Sequence, residues 1–135
     1  MRLSVLLKLQ LAYAATGAGF NAVSLLAGAL GMKALTPTNP YLGLMVMLVY
    51  ASFLLTAYKG HLALYRLLMV CALLLFGYSG VYVHIVQMHQ QPELYYSSGI
   101  AITAIVINVF GWLLNFIAAL GCFNCKNPAS PRSGN

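Results

Sequence analysis

Four long apolar stretches constrain this chain more than any other feature of its sequence. They cover about residues 9–32, 41–58, 67–86 and 97–120, and none of them contains a charged side chain. A helix needs about 20 apolar residues to cross a hydrocarbon core about 30 Å thick. Continuous runs of this kind lack the alternation of a membrane β-barrel. Because the connections are short, the sequence predicts an all-α integral membrane fold, a four-helix antiparallel bundle.

The composition agrees with a membrane protein. Hydrophobic residues make up 61% of the 135 residues and charged residues only 6%, whereas soluble domains are about 45–50% apolar and about 25% charged. The formal net charge is +6, but the cations are scattered and form no cluster that would follow a phosphate backbone. The composition therefore excludes a soluble domain, predicts the lipid bilayer as the surroundings and predicts no nucleic-acid partner.

The distribution of charge predicts the topology. Loops on the cytoplasmic side of a membrane carry an excess of Lys and Arg. In a four-span chain the opposite side holds only Lys33 and Glu93. Both termini are therefore predicted to be cytoplasmic. Six cations fall on the side of the termini: Arg2, Lys8, Lys59, Arg66, Lys126 and Arg132.

Two further features refine this arrangement. Residues 1–121 are predicted to form the membrane domain, and residues 122–135 a short disordered cytoplasmic tail rich in Pro, Ser and Gly. The compact chain has no Asn-x-Ser/Thr acceptor, which favours a bacterial inner (plasma) membrane. Tyrosine rings favour the headgroup level, and five tyrosines near the predicted span ends are expected there: Tyr41, Tyr58, Tyr65, Tyr95 and Tyr96.

The first and fourth predicted helices each carry a line of small and polar residues at alternating spacings of three and four, which places each line on one helical face. In lipid, small residues let helices pack closely and amides bond between helices. These faces are therefore candidates for packing inside the bundle, for lining a polar pathway or for meeting a partner. The first line is Gln10, Ala14, Gly17, Asn21, Ser24 and Gly28, and the second is Ala101, Ala104, Asn108, Gly111, Asn115 and Ala118.

Groups for acid–base or metal chemistry are scarce. Glu93 is the only carboxylate side chain, so a Ser-His-Asp set cannot form. His84, His89 and Glu93 are weak metal candidates because their spacings of five and four are interrupted by a proline. Cys122 and Cys125 form one pair, whereas a structural zinc site needs four ligands. The sequence predicts no enzymatic activity, no cofactor and no metal site.

Two functions remain after these exclusions. The first is a non-enzymatic subunit that packs within, or helps to assemble, a larger membrane complex through other subunits or self-association. The alternative is a homo-oligomeric channel or carrier for a neutral or anionic small solute. In that alternative Asn21, Ser24, Asn108 and Asn115 would line the pathway.

Overall fold

The computed structural model describes residues 1–124, and the regular structure in that range is helical. The main elements are α1 (Leu3–Ala29), α2 (Pro40–Tyr58), α3 (Leu62–Gln90) and α4 (Ser98–Leu120). All four are long and apolar enough to cross a membrane, which confirms the predicted all-α class. Most of the predicted tail, with Cys125, lies outside the described residues.

Two helices begin before the apolar stretches that predicted them. Helix α1 begins at Leu3 rather than residue 9, and α3 begins at Leu62 rather than residue 67. The added turns contain Lys8 and Arg66, which are both exposed. Long cationic side chains can pack their aliphatic stems on apolar surface while the charge reaches the headgroups. A helix can therefore begin before the uncharged stretch and include a Lys or Arg in its first turns.

Helix α3 contains a π-helical segment, Phe76–Tyr82, between two α-helical parts. The Ser79 hydroxyl donates a 2.7 Å hydrogen bond to the Leu75 carbonyl at the start of this segment. In a regular α-helix, His84 would point about 120° away from Ala72. The wider π turns remove this offset, and both residues are buried. The π segment therefore keeps the outer half of α3 facing the other helices.

Hydrogen bonds join the connections at each end of the molecule. At one end, here called the loop end (residues 30–39 and 91–97), the Lys33 ammonium donates to the carbonyls of Glu93 and Tyr95. At the opposite, terminal end (residues 1–3, 59–61 and 121–124), the Leu3 N–H donates to the Asn124 carbonyl at 3.1 Å. The chain therefore returns after α4 to the end from which α1 starts.

A glycine and an arginine cap the C-terminus of α4. Gly121 has a φ of +71°, and the next N–H, that of Cys122, donates to the Ile117 carbonyl at 3.1 Å. The Arg66 guanidinium of α3 donates to the carbonyls of Ala119 and Leu120 at 3.2 and 3.3 Å. These last carbonyls have no partner within the helix and carry partial negative charge, so Arg66 both satisfies them and ties α3 to α4.

Glycines allow close helix contacts, but only at some positions of the two predicted lines. A Cβ added to Gly111 would collide with the Tyr13 ring, and one added to Gly17 would lie 2.8 Å from the Met47 Sδ. Gly28 has no atom within 4 Å of the same hypothetical Cβ and is exposed. The line in α1 therefore stops serving as a packing face before it reaches Gly28.

We expect Gly111→Ala to destabilise the protein by about 1–3 kcal/mol, because the new methyl group overpacks against a buried ring. The matched variant Gly28→Ala should leave stability unchanged or raise it by about 0.5–1 kcal/mol, since alanine favours a helix interior. Denaturant unfolding in detergent, followed by circular dichroism, measures both. Equal effects would contradict the close contact between α1 and α4.

Candidate functional site

A cavity of about 320 Å³ lies among the four helices in the half of the molecule toward the loop end. Ligand pockets are about 300–1,000 Å³ in volume, so this one suits a small molecule or part of a larger one. Among the described residues that line it, none carries a Lys, Arg, Asp or Glu side chain. Its polar side chains are amides, hydroxyls and one imidazole: Asn21, Thr36, Thr38, Asn39, Ser79, His84 and Asn108.

Asn21 of α1 and Asn108 of α4 have matching geometry in this cavity. Each side-chain nitrogen donates to a carbonyl one turn back in its own helix, that of Gly17 at 2.8 Å and that of Ala104 at 2.9 Å. Because a carbonyl only accepts hydrogen bonds, each amide nitrogen must face its own helix. The amide oxygens then lie toward Gly43 and Gly80 of the facing helices, where a Cβ would collide with them. Both side chains therefore leave an oxygen that can accept a hydrogen bond.

His84 is held in the cavity wall by Tyr95. Its Nδ1 lies 2.7 Å from the Tyr95 hydroxyl, and both residues are buried. Burial raises the pKa of Tyr95 above its ordinary value, because the tyrosinate form loses hydration, so the hydroxyl stays protonated at neutral pH. With Nδ1 paired in this way, Nε2 is the ring nitrogen of this cavity-lining residue that is left for a further partner.

The weak metal candidates do not come together. His84 is buried, whereas His89 and Glu93 are exposed, and Cys122 is a free exposed thiol at the opposite end. Within residues 1–124 no group of three His, Cys, Asp or Glu side chains is placed to hold a metal ion. Cys125 lies outside the described residues.

A layer of three aromatic rings closes the cavity on its deep side. Phe76 lines the cavity, and the rings of Tyr13 and Tyr50 pack beside it. The centroids are 5.4, 5.5 and 5.7 Å apart, and every pair meets edge to face, the arrangement that aromatic quadrupoles favour. This aromatic layer separates the cavity from the terminal half of the molecule.

Beyond the aromatic layer, one buried hydrogen-bond network joins all four helices. The Gln10 side-chain nitrogen donates to the Asn115 Oδ1 at 3.2 Å and contacts the Met69 sulfur at 3.1 Å. The Tyr50 hydroxyl donates to the same Asn115 oxygen at 2.8 Å, and the Tyr65 hydroxyl donates to the Gln10 oxygen at 2.5 Å. Gln10 belongs to α1, Tyr50 to α2, Tyr65 to α3 and Asn115 to α4. These three hydrogen bonds therefore link all four helices.

Two buried polar atoms, one in the network and one in the aromatic layer, have no hydrogen-bond partner among the described residues. Among the described residues, the Tyr13 hydroxyl and the Asn115 side-chain nitrogen are buried and make no hydrogen bond. An unpaired buried donor costs about 1–3 kcal/mol. Tyr13 therefore stabilises the protein through its ring and not through its hydroxyl.

The residues of the two predicted lines thus have different roles in the structure. Gln10 and Asn115 form the network, Asn21 and Asn108 line the cavity, and Gly17 and Gly111 admit neighbouring side chains. Ser24 is buried and accepts a 3.1 Å hydrogen bond from the Leu35 N–H of the first connection. Gly28 lies outside this arrangement. Both lines meet inside one chain, together with side chains of α2 and α3.

Sequence reasoning missed the buried tyrosines and the π segment. Tyr65 and Tyr95 were expected at the headgroups, yet both are buried and hydrogen-bonded to other helices or connections. Tyr13 and Tyr50 lie in the middle of their helices. One signal was present: Tyr13 follows Gln10 by three residues and therefore shares its helical face. The π segment has no comparable signature beyond its two glycines.

Comparison with protein-family models, with curated proteins and with solved structures finds no match to this chain. Its function therefore has to be inferred from the cavity, the aromatic layer and the network.

Two identical substitutions separate the roles of two buried tyrosines. Tyr65→Phe removes the donor to Gln10, and we expect a loss of about 0.5–1.5 kcal/mol, the range for such bonds in membrane proteins. Tyr13→Phe removes a hydroxyl that has no partner, so stability should stay the same or rise. Thermal unfolding of both variants in one detergent measures the difference, and a larger loss for Tyr13→Phe would contradict the described network.

Proposed function

We propose that this chain is an integral membrane protein that binds an uncharged polar small molecule in the cavity at its loop end. One observation carries the proposal: polar side chains of α1, α3, α4 and the first connection line a cavity that has no charged side chain among its described lining residues. Exposing amides and hydroxyls to such a space inside a membrane protein is costly unless something polar fills it. Intramembrane polar groups of this kind commonly mark substrate pathways.

The absence of charge from the described cavity wall indicates the charge of the ligand. A cation would require a carboxylate or a ring of acceptors with matching geometry, and an anion would require Lys, Arg or several convergent N–H groups. The Asn21 and Asn108 nitrogens already donate to their own helices. No described residue donates to their oxygens, so hydroxyl groups on an uncharged molecule fit this wall better than a phosphate or carboxylate does.

The aromatic layer favours binding at one side over an open pore. A channel through one chain would have to pass between Tyr13, Tyr50 and Phe76, whose rings are in mutual contact. Passage would then require these rings and the network beyond them to separate. A carrier that opens alternately to the two sides would do this, whereas a fixed pore would not.

The topology that accompanies this function is an antiparallel bundle with both termini in the cytoplasm. Hydrogen bonds at each end support it, because α1 and α4 meet at the terminal end. Four cations of the described range lie in or near that end: Arg2, Lys8, Lys59 and Arg66. The excess of positive charge favours a cytoplasmic position for the terminal end. The cavity then opens toward the outer side.

Single-cysteine labelling tests the topology and the cavity together. In a background without the native cysteines, we expect a membrane-impermeant thiol reagent added to intact cells to label Thr38→Cys and Asn108→Cys. It should not label Lys59→Cys, which lies in the cytoplasmic connection, or Asn115→Cys, which lies beyond the aromatic layer. Permeabilised cells provide the control for Lys59→Cys. Labelling of Lys59→Cys from outside would show that the topology is the reverse of the one proposed. If Thr38→Cys is labelled and Asn108→Cys is not, the reagent does not reach the inside of the cavity, and the cavity is closed to the outer side.

Native mass spectrometry after gentle extraction tests binding itself. We expect the wild-type protein to retain an uncharged small molecule that Asn108→Leu loses, because leucine removes the acceptor and fills space. Thr103→Leu is the matched control, since Thr103 is exposed on the same helix and outside the cavity. Folding should stay intact in both variants because Asn108 bonds only to its own helix. A wild-type protein with no bound mass and no protection of Thr38→Cys by added polyols would contradict the proposal, because Thr38 also lines the cavity and its replacement leaves the Asn108 acceptor in place.

A subunit role remains the second candidate, and one surface feature favours it. Tyr78 and Tyr82 stack with centroids 5.8 Å apart and are 67% and 59% exposed within the membrane-spanning α3. Tyrosine hydroxyls facing hydrocarbon lack partners, whereas a neighbouring protein could supply them. Native mass spectrometry would then show a foreign subunit or a second copy that Tyr78→Leu combined with Tyr82→Leu releases. Unchanged composition in that variant would argue against this surface.

A further inference from the structure

A second space, here called the groove, lies beside the cavity between α2 and α3. It has a volume of about 360 Å³, and its lining residues are apolar apart from the Tyr50 and Cys71 side chains. Because both helices are candidate membrane spans, lipid is the medium that this groove faces. Val49 of α2 and Cys71 of α3, on its two walls, are both exposed.

The groove and the cavity share part of their walls. Leu42 and Val46 of α2, and Leu75 and Phe76 of α3, line both of them. The two spaces are therefore adjacent between α2 and α3, with these side chains as their common wall. Rotation of these side chains would let a molecule with a polar group in the cavity extend an apolar part sideways into the groove without crossing the aromatic layer.

The length of the groove matches one leaflet of a bilayer. Its α2 wall runs from Leu42, two residues after the start of the helix, to Phe53, which is roughly 16 Å at 1.5 Å per residue. Half of a hydrocarbon core about 30 Å thick is about 15 Å. The groove starts near the loop end and extends about one turn past the midpoint of α2, so it is long enough for a hydrocarbon chain of that leaflet.

From this shared wall and the length of the groove we propose that the ligand is an uncharged lipid with a hydroxylated headgroup, held with its headgroup in the cavity and one hydrocarbon chain in the groove. This inference rests on the proposed function and specifies its ligand class. The cavity contributes amide oxygens that accept from hydroxyl groups. The groove contributes apolar contact along the chain, and the described lining has no cation that would recruit a phosphate headgroup.

The experiment uses the full chain in phosphatidylcholine nanodiscs with a monoacylglycerol that carries a photoactivatable group in its acyl chain. We expect crosslinks to concentrate on residues 42–53 and 71–76. Val49→Trp, which fills the groove, and Asn108→Leu, which removes a headgroup acceptor, should each reduce them about tenfold, equivalent to about 1.4 kcal/mol of binding.

Leu48→Trp is the matched control, because Leu48 and Val49 are similarly exposed, at 56% and 48%, but only Val49 lines the groove. Its crosslinks should equal those of the wild type. Circular dichroism of each variant verifies folding, and a monoacyl phosphatidylglycerol probe with the same acyl chain should crosslink less than the uncharged probe. Uniform labelling of the lipid-facing surface, or crosslinks unaffected by Val49→Trp, would overturn the inference.

Failure here is distinguishable from failure of the proposed function. If free glycerol protects Thr38→Cys from thiol labelling while crosslinking of the lipid probe is unchanged by Val49→Trp, the cavity binds a polar molecule and the lipid assignment is wrong. If glycerol does not protect Thr38→Cys and crosslinking of the lipid probe is unchanged by Asn108→Leu, both the cavity function and the lipid assignment are wrong.

Discussion

Burial of polar side chains away from water is the constraint on which the rest of this structure depends. In lipid the backbone satisfies itself within each helix, but amides and hydroxyls that face inward must find one another. Gln10, Tyr50, Tyr65 and Asn115 do so at one level of the molecule. Because each helix supplies one of these side chains, the network sets how every helix is rotated about its own axis.

The cavity follows from that rotation. The faces of α1 and α4 that carry Gln10 and Asn115 continue toward the loop end as Asn21 and Asn108. Glycines on the facing helices, Gly43 and Gly80, leave room for these amides. An alanine at either position would collide with the asparagine. The same glycines that bring the helices close therefore determine where the amide oxygens point and what kind of molecule they can accept.

Helix α3 required a departure from regular geometry to join this arrangement. Its buried residues up to Ala72 follow α-helical spacing, but His84 would leave the inward face if that spacing continued. The π segment corrects the direction, and π segments are frequent at functional sites. Here it serves the cavity by placing Gly80 against Asn108 and His84 against Tyr95. The exposed tyrosine pair of the same segment lies on the opposite, outward side.

The sequence by itself determined the all-α class, the four apolar helices and the two lines that supply Gln10, Asn21, Asn108 and Asn115, because hydropathy and helical spacing are local properties of the chain. It did not determine which members of those lines bond to each other, which line a cavity and which, like Gly28, face outward. Those outcomes depend on the relative rotation of four helices, and the buried tyrosines and the π segment decide it through contacts between residues far apart in sequence. Tyr65 illustrates the difference: near the end of an apolar stretch its amphipathic ring predicts the membrane surface, and only the position of Gln10 across the interface makes burial favourable.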